Sequence, residues 1–263
     1  MIDYLFVVLI SFFASGIGAL LGIGGGVIMV PLFVLFVKMP IQNAVAISLF
    51  TIVGTSTLVS SKFIKNKALN LELGLSLELA TTVGAIGGSL IALRLTHRTL
   101  SLMFGLFLFF VSFSMFRKVK ETDTKAGKYS YFDEKEKKEI FYDVKNMPAA
   151  YLLSSVAGLA SGMFGIGGGV LKVPLLVKVC KIPIKVATAT SGFMVGITAS
   201  AAAYVYFSKG SLNPYFAFLG LVGSLLGSKC GVVVHSKIKA DLLRKVFAFS
   251  LIAIALFMIA RAL

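Results

Sequence analysis

The chain has 263 residues, 57% of them hydrophobic and 14% charged, with mean hydropathy +0.93 and net charge +15. A soluble domain carries about 25% charged residues, so a water-soluble globule is excluded, and long apolar runs without regular alternation exclude a membrane β-barrel. The basic residues sit between the apolar runs, where they set orientation in a bilayer, so the charge does not point to nucleic acid.

The first apolar run starts at Tyr4, after Asp3 and without a basic leader. It reads as a retained membrane helix rather than a cleaved signal peptide. Apolar segments follow at roughly 4–21, 27–37, 44–61, 72–93 and 100–117. A polar stretch, Lys118 to Lys145, comes next, with mixed charge from Glu121 to Glu139. It is expected to be a solvated linker, partly helical around 133–142. Five more apolar segments lie at roughly 149–164, 170–180, 187–207, 213–235 and 243–261. The second segment of each set is too short to cross about 30 Å alone, which takes roughly 20 residues. Each is expected to form a half-helix or re-entrant element with the segment before it.

The two sets share a register. GIGGGVIMVPL at Gly22–Leu32 returns as GIGGGVLKVPL at Gly165–Leu175, an offset of 143 residues. The same offset pairs Pro40 with Pro183, Ala44 with Ala187, Ser48 with Ser191, Gly84 with Gly227 and Phe104 with Phe247. One unit is used twice. The expected division is repeat one at 1–118, a cytoplasmic linker at 119–146 and repeat two at 147–263. Lys178, Lys181 and Lys185, then Lys237, Lys239, Arg244 and Lys245, mark inside loops of repeat two. In repeat one the charge moves to the complementary loops, at Lys62, Lys65, Lys67, Arg117, Lys118 and Lys120, with Arg94 and Arg98 as the exception. That switch predicts inverted repeats with both termini outside. The predicted fold is an all-α polytopic membrane protein with eight to ten membrane segments. Glycines four apart (Gly18, Gly22, Gly26; Gly84, Gly88; Gly223, Gly227, Gly231) supply close helix packing.

The glycine motif has its own physics. Three glycines break a helix, each costing about 1 kcal/mol relative to Ala, and they admit positive φ. Pro31 and Pro174 each remove a backbone donor and tend to kink or interrupt the helix. A broken backbone inside an apolar segment must be satisfied by protein or a watery cavity. Two such breaks, one per repeat, are the sequence mark of a transporter site.

GIGGGxxxVPL at both positions, each followed by an Ala-x-Ala-x-Ser run, resembles the sulfite exporter TauE/SafE family of membrane permeases, over essentially both halves. The resemblance implies a bacterial-type inner-membrane secondary carrier of small anions: sulfite, sulfonates or related sulfur-containing organic anions. Alternating access at a midplane site is the expected mechanism. An anion channel and a non-transporting membrane subunit of sulfur metabolism are the alternatives.

For such an anion the half-helices starting after Gly24, Gly25 and Gly26, and after Gly167, Gly168 and Gly169, point amides and a positive dipole end at each break. These glycines with Pro31, Pro174, Ser48 and Ser191 form the candidate substrate site. Lys172 joins them, because an intramembrane cation is functional by default; the alternative is snorkelling to an interface. Lys229, in the Gly227/Gly231 ladder, is similar but equally suited to packing. Glu78, matched by Leu221 in the other repeat, is a proton-coupling candidate or an interfacial salt-bridge partner. Thr51, Thr55, Thr198 and Ser200 could turn hydroxyls to a cavity or bond their own helix. Cys180 and Cys230 lack metal spacing and read as packing residues; His97 and His235 are isolated and read as interfacial. No HExxH, GxSxG or Walker motif occurs, and Gly127-Lys128 is followed by Tyr129. No catalytic residue, metal or cofactor is expected. The partners are the small anion and the lipid bilayer, with the oligomeric state open.

Overall fold

Helix ends fall where glycine, proline and asparagine interrupt the apolar runs. In the computed structural model, residues 2–21, 24–64, 69–115, 127–133, 138–234, 249 and 251–260 are described. The helices are α1 (Ile2–Leu21), α2 (Gly26–Leu32), α3 (Ile41–Ile64), α4 (Leu71–Arg94), α5 (His97–Met115), α6 (Met147–Phe164), α7 (Gly169–Lys178), α8 (Ile184–Ser208), α9 (Pro214–Val234) and α10 (Leu251–Ala260). Asn70 caps α4 by accepting from the Leu73 amide at 3.0 Å, the usual use of Asn before a helix. Pro31 and Pro174 do not stop their helices: both lie inside them, and α2 widens past Pro31 into a π-helical turn over Phe33–Val37.

Among the described residues four stretches are long and apolar enough to cross a membrane: Ile41–Leu58, Leu71–Arg94, Met147–Phe164 and Ile184–Ser208. The surface matches. Leu75, Leu79 and Val83 of α4, Phe110 and Phe113 of α5, and Leu152 and Val156 of α6 are exposed, while Ser48, Thr51, Thr81, Ser89 and Thr190 are buried. Apolar outside and hydroxylated inside is the pattern of a chain solvated by lipid.

Two tight pairs carry the packing, α4 on α6 and α1 on α9. A Cβ added at Gly84 or Gly88 would overlap the carbonyl oxygen of Ser155 or Leu159, and one at Gly158 or Gly162 that of Thr81 or Ala85. The second pair repeats this, with Gly223, Gly227 and Gly231 against the carbonyls of Val8, Phe12 and Gly16. Small residues bring the backbones into contact, where dispersion replaces the hydrophobic drive that lipid removes.

Hydrogen bonds fix the directions. The Asn70 amide donates to Thr190 Oγ1 at 3.1 Å, placing the start of α8 at the start of α4. The Ile41 amide donates to His97 Nδ1 at 3.1 Å and Gln42 Nε2 to the Leu95 carbonyl at 3.0 Å, placing the start of α3 at the far end of α4. α3 and α8 therefore run in opposite directions. The Lys145 amide donates to the Cys180 carbonyl at 3.0 Å, and Asn146 Nδ2 to that of Val179 at 3.2 Å. So α6 and α7 leave from and return to one side, bent back at the second glycine motif.

Among the described residues the chain is mostly helical, as expected, and the departure is confined to the linker. Instead of helix, β1 (Tyr129–Asp133) pairs antiparallel with β2 (Lys138–Tyr142), Tyr129 opposite Tyr142. The reason is period-two aromatic spacing within a charged stretch. Tyr131 and Tyr142 are buried against Leu73 and Leu77 of α4 and Leu175 of α7. Tyr142 Oη accepts from Asn70 Nδ2 at 3.0 Å, and Tyr129 Oη donates to Glu72 at 3.0 Å. Gly22, Lys65, Lys67, Arg117, Lys118, Lys120, His235, Lys237, Lys239, Arg244 and Lys245 lie outside the described residues.

Neighbouring glycines give the first test. Gly88→Ala forces a Cβ onto the Leu159 carbonyl, whereas a Cβ at Gly87 meets nothing within 4 Å. Gly88→Ala is expected to lower the Tm of the purified protein by several degrees, about 1–3 kcal/mol of overpacking. Gly87→Ala is expected to leave it unchanged or raise it.

Candidate functional site

Each glycine motif makes the same backbone turn. Gly24 and Gly25 have φ of 81° and 78°; Gly167 and Gly168 have 68° and 79°. A side chain is strained in this left-handed region, which is why the sequence needs glycine there. Gly25 and Gly168 are the N-caps of α2 and α7, and neither helix start has a side-chain cap. The Gly25 carbonyl takes the Ile28 and Met29 amides, and the Gly168 carbonyl those of Leu171 and Lys172. The first two amides of each helix, at Gly26 and Val27 and at Gly169 and Val170, have no acceptor within their own helix and are the donors at the breaks.

The two breaks meet. A Cβ built on Gly24 or on Gly167 would lie within 4 Å of both Ile52 of α3 and Val195 of α8, themselves 143 residues apart. Gly26 packs on the Gly165 carbonyl, which accepts from Ser48 Oγ at 2.7 Å. Gly25 turns away toward Ala14 and Ser15 of α1. Pro31 and Pro174 lie further along their helices, outside this junction.

Beside the second break sits a buried charge cluster. Lys172, 1% exposed, places Nζ 3.3 Å from Glu78 Oε2 of α4 and donates to Thr198 Oγ1 of α8 at 2.6 Å. Thr198 Oγ1 in turn lies 2.5 Å from Glu78 Oε1, which also takes a long contact from Thr82 Oγ1 at 3.4 Å. Lys172 is therefore buried in protein rather than extended to solvent, and Glu78 is its salt-bridge partner. Burying two charges costs several kcal/mol each, repaid only by close geometry with further hydrogen bonds, and Thr198 supplies them. Lys172 also occupies the first turn of α7, where the helix end carries about +0.5 charge. One carboxylate thus faces an ammonium and a positive helix end. Ser161 completes the surroundings: its Oγ is buried without a partner, and its Cβ and Lys172 Cε both approach Gly168.

The other candidates scatter. Ser191 is buried with an unpartnered Oγ. Thr51 Oγ1 bonds the Ser48 carbonyl and Met29 Sδ. Thr55 and Ser56 bond their own helix and line a small cavity with Ser15, Gly24, Val195 and Ser228. Ser200 and Lys229 are exposed. His97 accepts the α3 amide described above, Cys180 is buried, and Cys230 is exposed. Ser161 escaped sequence reasoning because a serine on an apolar helix gives no signal. Thr198, one of the hydroxyls the sequence offered, lies 143 residues from Thr55; Thr55 lines the cavity, whereas Thr198 sits between Lys172 and Glu78. By the 143-residue offset Lys172 of repeat two is matched by Met29 of repeat one, and Glu78 of repeat one by Leu221 of repeat two, so the ion pair spans the two repeats and its symmetry-related counterpart is apolar. Among the described residues no group of His, Cys, Asp and Glu could hold a metal.

Comparison with known proteins agrees with this architecture. The profile of the sulfite exporter TauE/SafE family matches residues 7–258. The chain is 26% identical to the probable membrane transporter protein YunE of Bacillus subtilis, over 96% of each chain. It is 27% identical to a probable membrane transporter protein of Methanocaldococcus jannaschii, over 96% of this chain and 94% of that one. A shorter stretch, 28% of this chain and 17% of its relative, is 42% identical to sulfite exporter TauE/SafE family protein 5 of Arabidopsis thaliana. No solved structure gives a significant match.

A double-mutant cycle tests the energetics of the pair. Lys172→Met or Glu78→Leu alone leaves a buried charge unpaired, with an expected loss of about 3–5 kcal/mol. The double variant installs the residues of the other repeat and is expected to recover most of that loss, read as Tm in detergent.

Proposed function

The chain belongs to the sulfite exporter TauE/SafE family, and we propose that within it this chain is a secondary carrier of a small anion, sulfite, a sulfonate or a related sulfur-containing organic anion. It is a multi-pass membrane transporter and not an enzyme. The observation that carries the anion reading is the convergence of Lys172, the unpartnered Ser161 hydroxyl and the uncapped start of α7. All three are positive or donor groups, in a site with a single carboxylate. In this reading the anion binds Lys172 and the glycine turns at Gly167–Gly169, with Gly24–Gly26, Ser48 and Ser191 lining the junction, and Pro31 and Pro174 shaping the half-helices. Glu78 takes the coupling proton.

The opposite directions of α3 and α8, and the equal backbone turns of the two motifs, support two inverted repeats at 1–118 and 147–263 working by alternating access. The hairpin, Lys178, Lys181 and Lys185 share one side of the molecule. Their charge supports a cytoplasmic linker at 119–146, termini outside and residence in a bacterial-type inner membrane.

Flux of labelled sulfite, sulfate and a short sulfonate into proteoliposomes tests this, with and without an imposed pH gradient. Saturable, counterflow-capable uptake driven by the gradient is expected for one of them. Lys172→Met is expected to lower it at least about tenfold, the worth of one charge-assisted hydrogen bond. High unitary conductance would make the protein a channel, and no flux of any of the three would sink the substrate class.

A further inference from the structure

We propose that Thr198 is a positioning residue that passes the protonation state of Glu78 to Lys172, freeing the ammonium for the anion when the carboxylate takes a proton. This rests on the carrier reading above. The distances argue that the hydroxyl, rather than the direct contact, links the pair. Lys172 Nζ is 3.3 Å from the carboxylate, but 2.6 Å from Thr198 Oγ1, which is 2.5 Å from Glu78 Oε1. A hydroxyl has one hydrogen and two lone pairs, and this one has two acceptors in reach. Glu78 Oε1 is the first; the Met194 carbonyl, one turn back on α8, is the second at 3.0 Å.

The two acceptors define two states. With Glu78 ionised, the Thr198 hydrogen points to the carboxylate, and the hydroxyl oxygen accepts from Lys172. The ammonium is then held between an anion and a lone pair. A proton from water on Glu78 Oε1 reverses the first bond: the carboxylic acid donates to Thr198 Oγ1, whose hydrogen swings to the Met194 carbonyl. Only one side-chain bond rotates. Lys172 has now lost its counter-charge beside the positive start of α7, and an anion restores it. One proton enters with one anion, and the net charge of the buried site is unchanged.

The surroundings leave this exchange to Lys172. From α7 the facing charge is Lys172, and Lys178 is exposed. From α8, Lys185 and Tyr204 are exposed, and Tyr206 Oη donates to the Gly162 carbonyl at 2.9 Å. From α6, Tyr151 is exposed, and Ser155 donates to the Ala80 carbonyl. On α4 itself Thr82 adds its long contact, and Glu72 lies at the hairpin.

Two pH profiles test the relay on the full-length purified chain: Tm in detergent, which needs no substrate, and sulfite flux in proteoliposomes. The wild type is expected to show a Tm inflection that Lys172→Met/Glu78→Leu lacks. Thr198→Val should move that inflection toward alkaline pH by about one unit, the loss of one hydrogen bond to a carboxylate. Its flux should cease to follow the pH gradient. Thr198→Ser, which keeps the hydroxyl, should match the wild type in both. If Thr198→Val is not recovered folded, Thr198→Ala against Thr198→Ser makes the same comparison. An inflection that Thr198→Val leaves in place, or that both substitutions move equally, overturns the relay. Sulfite flux lost in every protein while the inflection moves as stated removes the substrate and keeps the relay.

Discussion

A helix broken inside an apolar layer leaves amides and carbonyls that lipid cannot satisfy, each at a cost of several kcal/mol. This constraint organises the molecule. The breaks must be buried against each other, so Gly26 lies on the Gly165 carbonyl and Ser48 of α3 donates to it across the junction. For two backbones to come that close, the flanking helices must also be close. Gly84 and Gly88 of α4, Gly158 and Gly162 of α6, and Gly223, Gly227 and Gly231 of α9 allow it, each seated on a carbonyl of the partner helix. The same residues that let the chain fold without stranded polar groups also gather two donor-rich helix starts at one place.

The two halves then diverge in charge. Repeat one fills the position beside its break with Met29, fully buried, whose sulfur accepts from Thr51. Repeat two puts Lys172 there, held by its own Thr198 and by Glu78 of repeat one. A buried ion pair is weak evidence for stability, since apolar residues of similar volume do as well or better. The first repeat shows that the apolar solution is available to this architecture. Retention of the charged solution beside the second break alone argues for chemistry at that site, and it makes the two ends of the junction electrostatically unequal.

The segment ends were legible because Gly, Pro and Asn act locally: α1, α7 and α8 lie within a few residues of the apolar runs that predict them. Lys172 and Glu78 were each legible as ionisable groups in apolar surroundings. That they are partners was not, because they stand 94 residues apart on different helices and no local pattern encodes the meeting. Thr198 was read as one hydroxyl among several for the same reason. The hairpin was missed because the charges at 133–139 drew the reading toward helix, although the alternations Tyr129, Tyr131 and Ile140, Tyr142 lie on either side of them. Its exposed Lys128–Glu72 pair, 3.9 Å apart, is screened by solvent and contributes little. The buried rings of Tyr131 and Tyr142 hold it in place.

The hairpin also defines which way the charge cluster is closed. Along α4 the path from Glu78 to Asn70 passes Leu77 and Leu73; along α7 the path from Lys172 to Lys178 passes Leu175, Leu176 and Val177. These side chains join Met194 and the two tyrosines in one apolar cluster. Water and anions entering from the hairpin side must cross this layer, and the near-zero exposure of Lys172 follows from it. Access from that side requires α7 to part from α4 and α8. The left-handed glycines at 165, 167 and 168 are where α7 joins α6, and they are the residues whose backbone can absorb such a change at least cost. In the alternating-access reading proposed above, the motif that lines the site would also be its hinge.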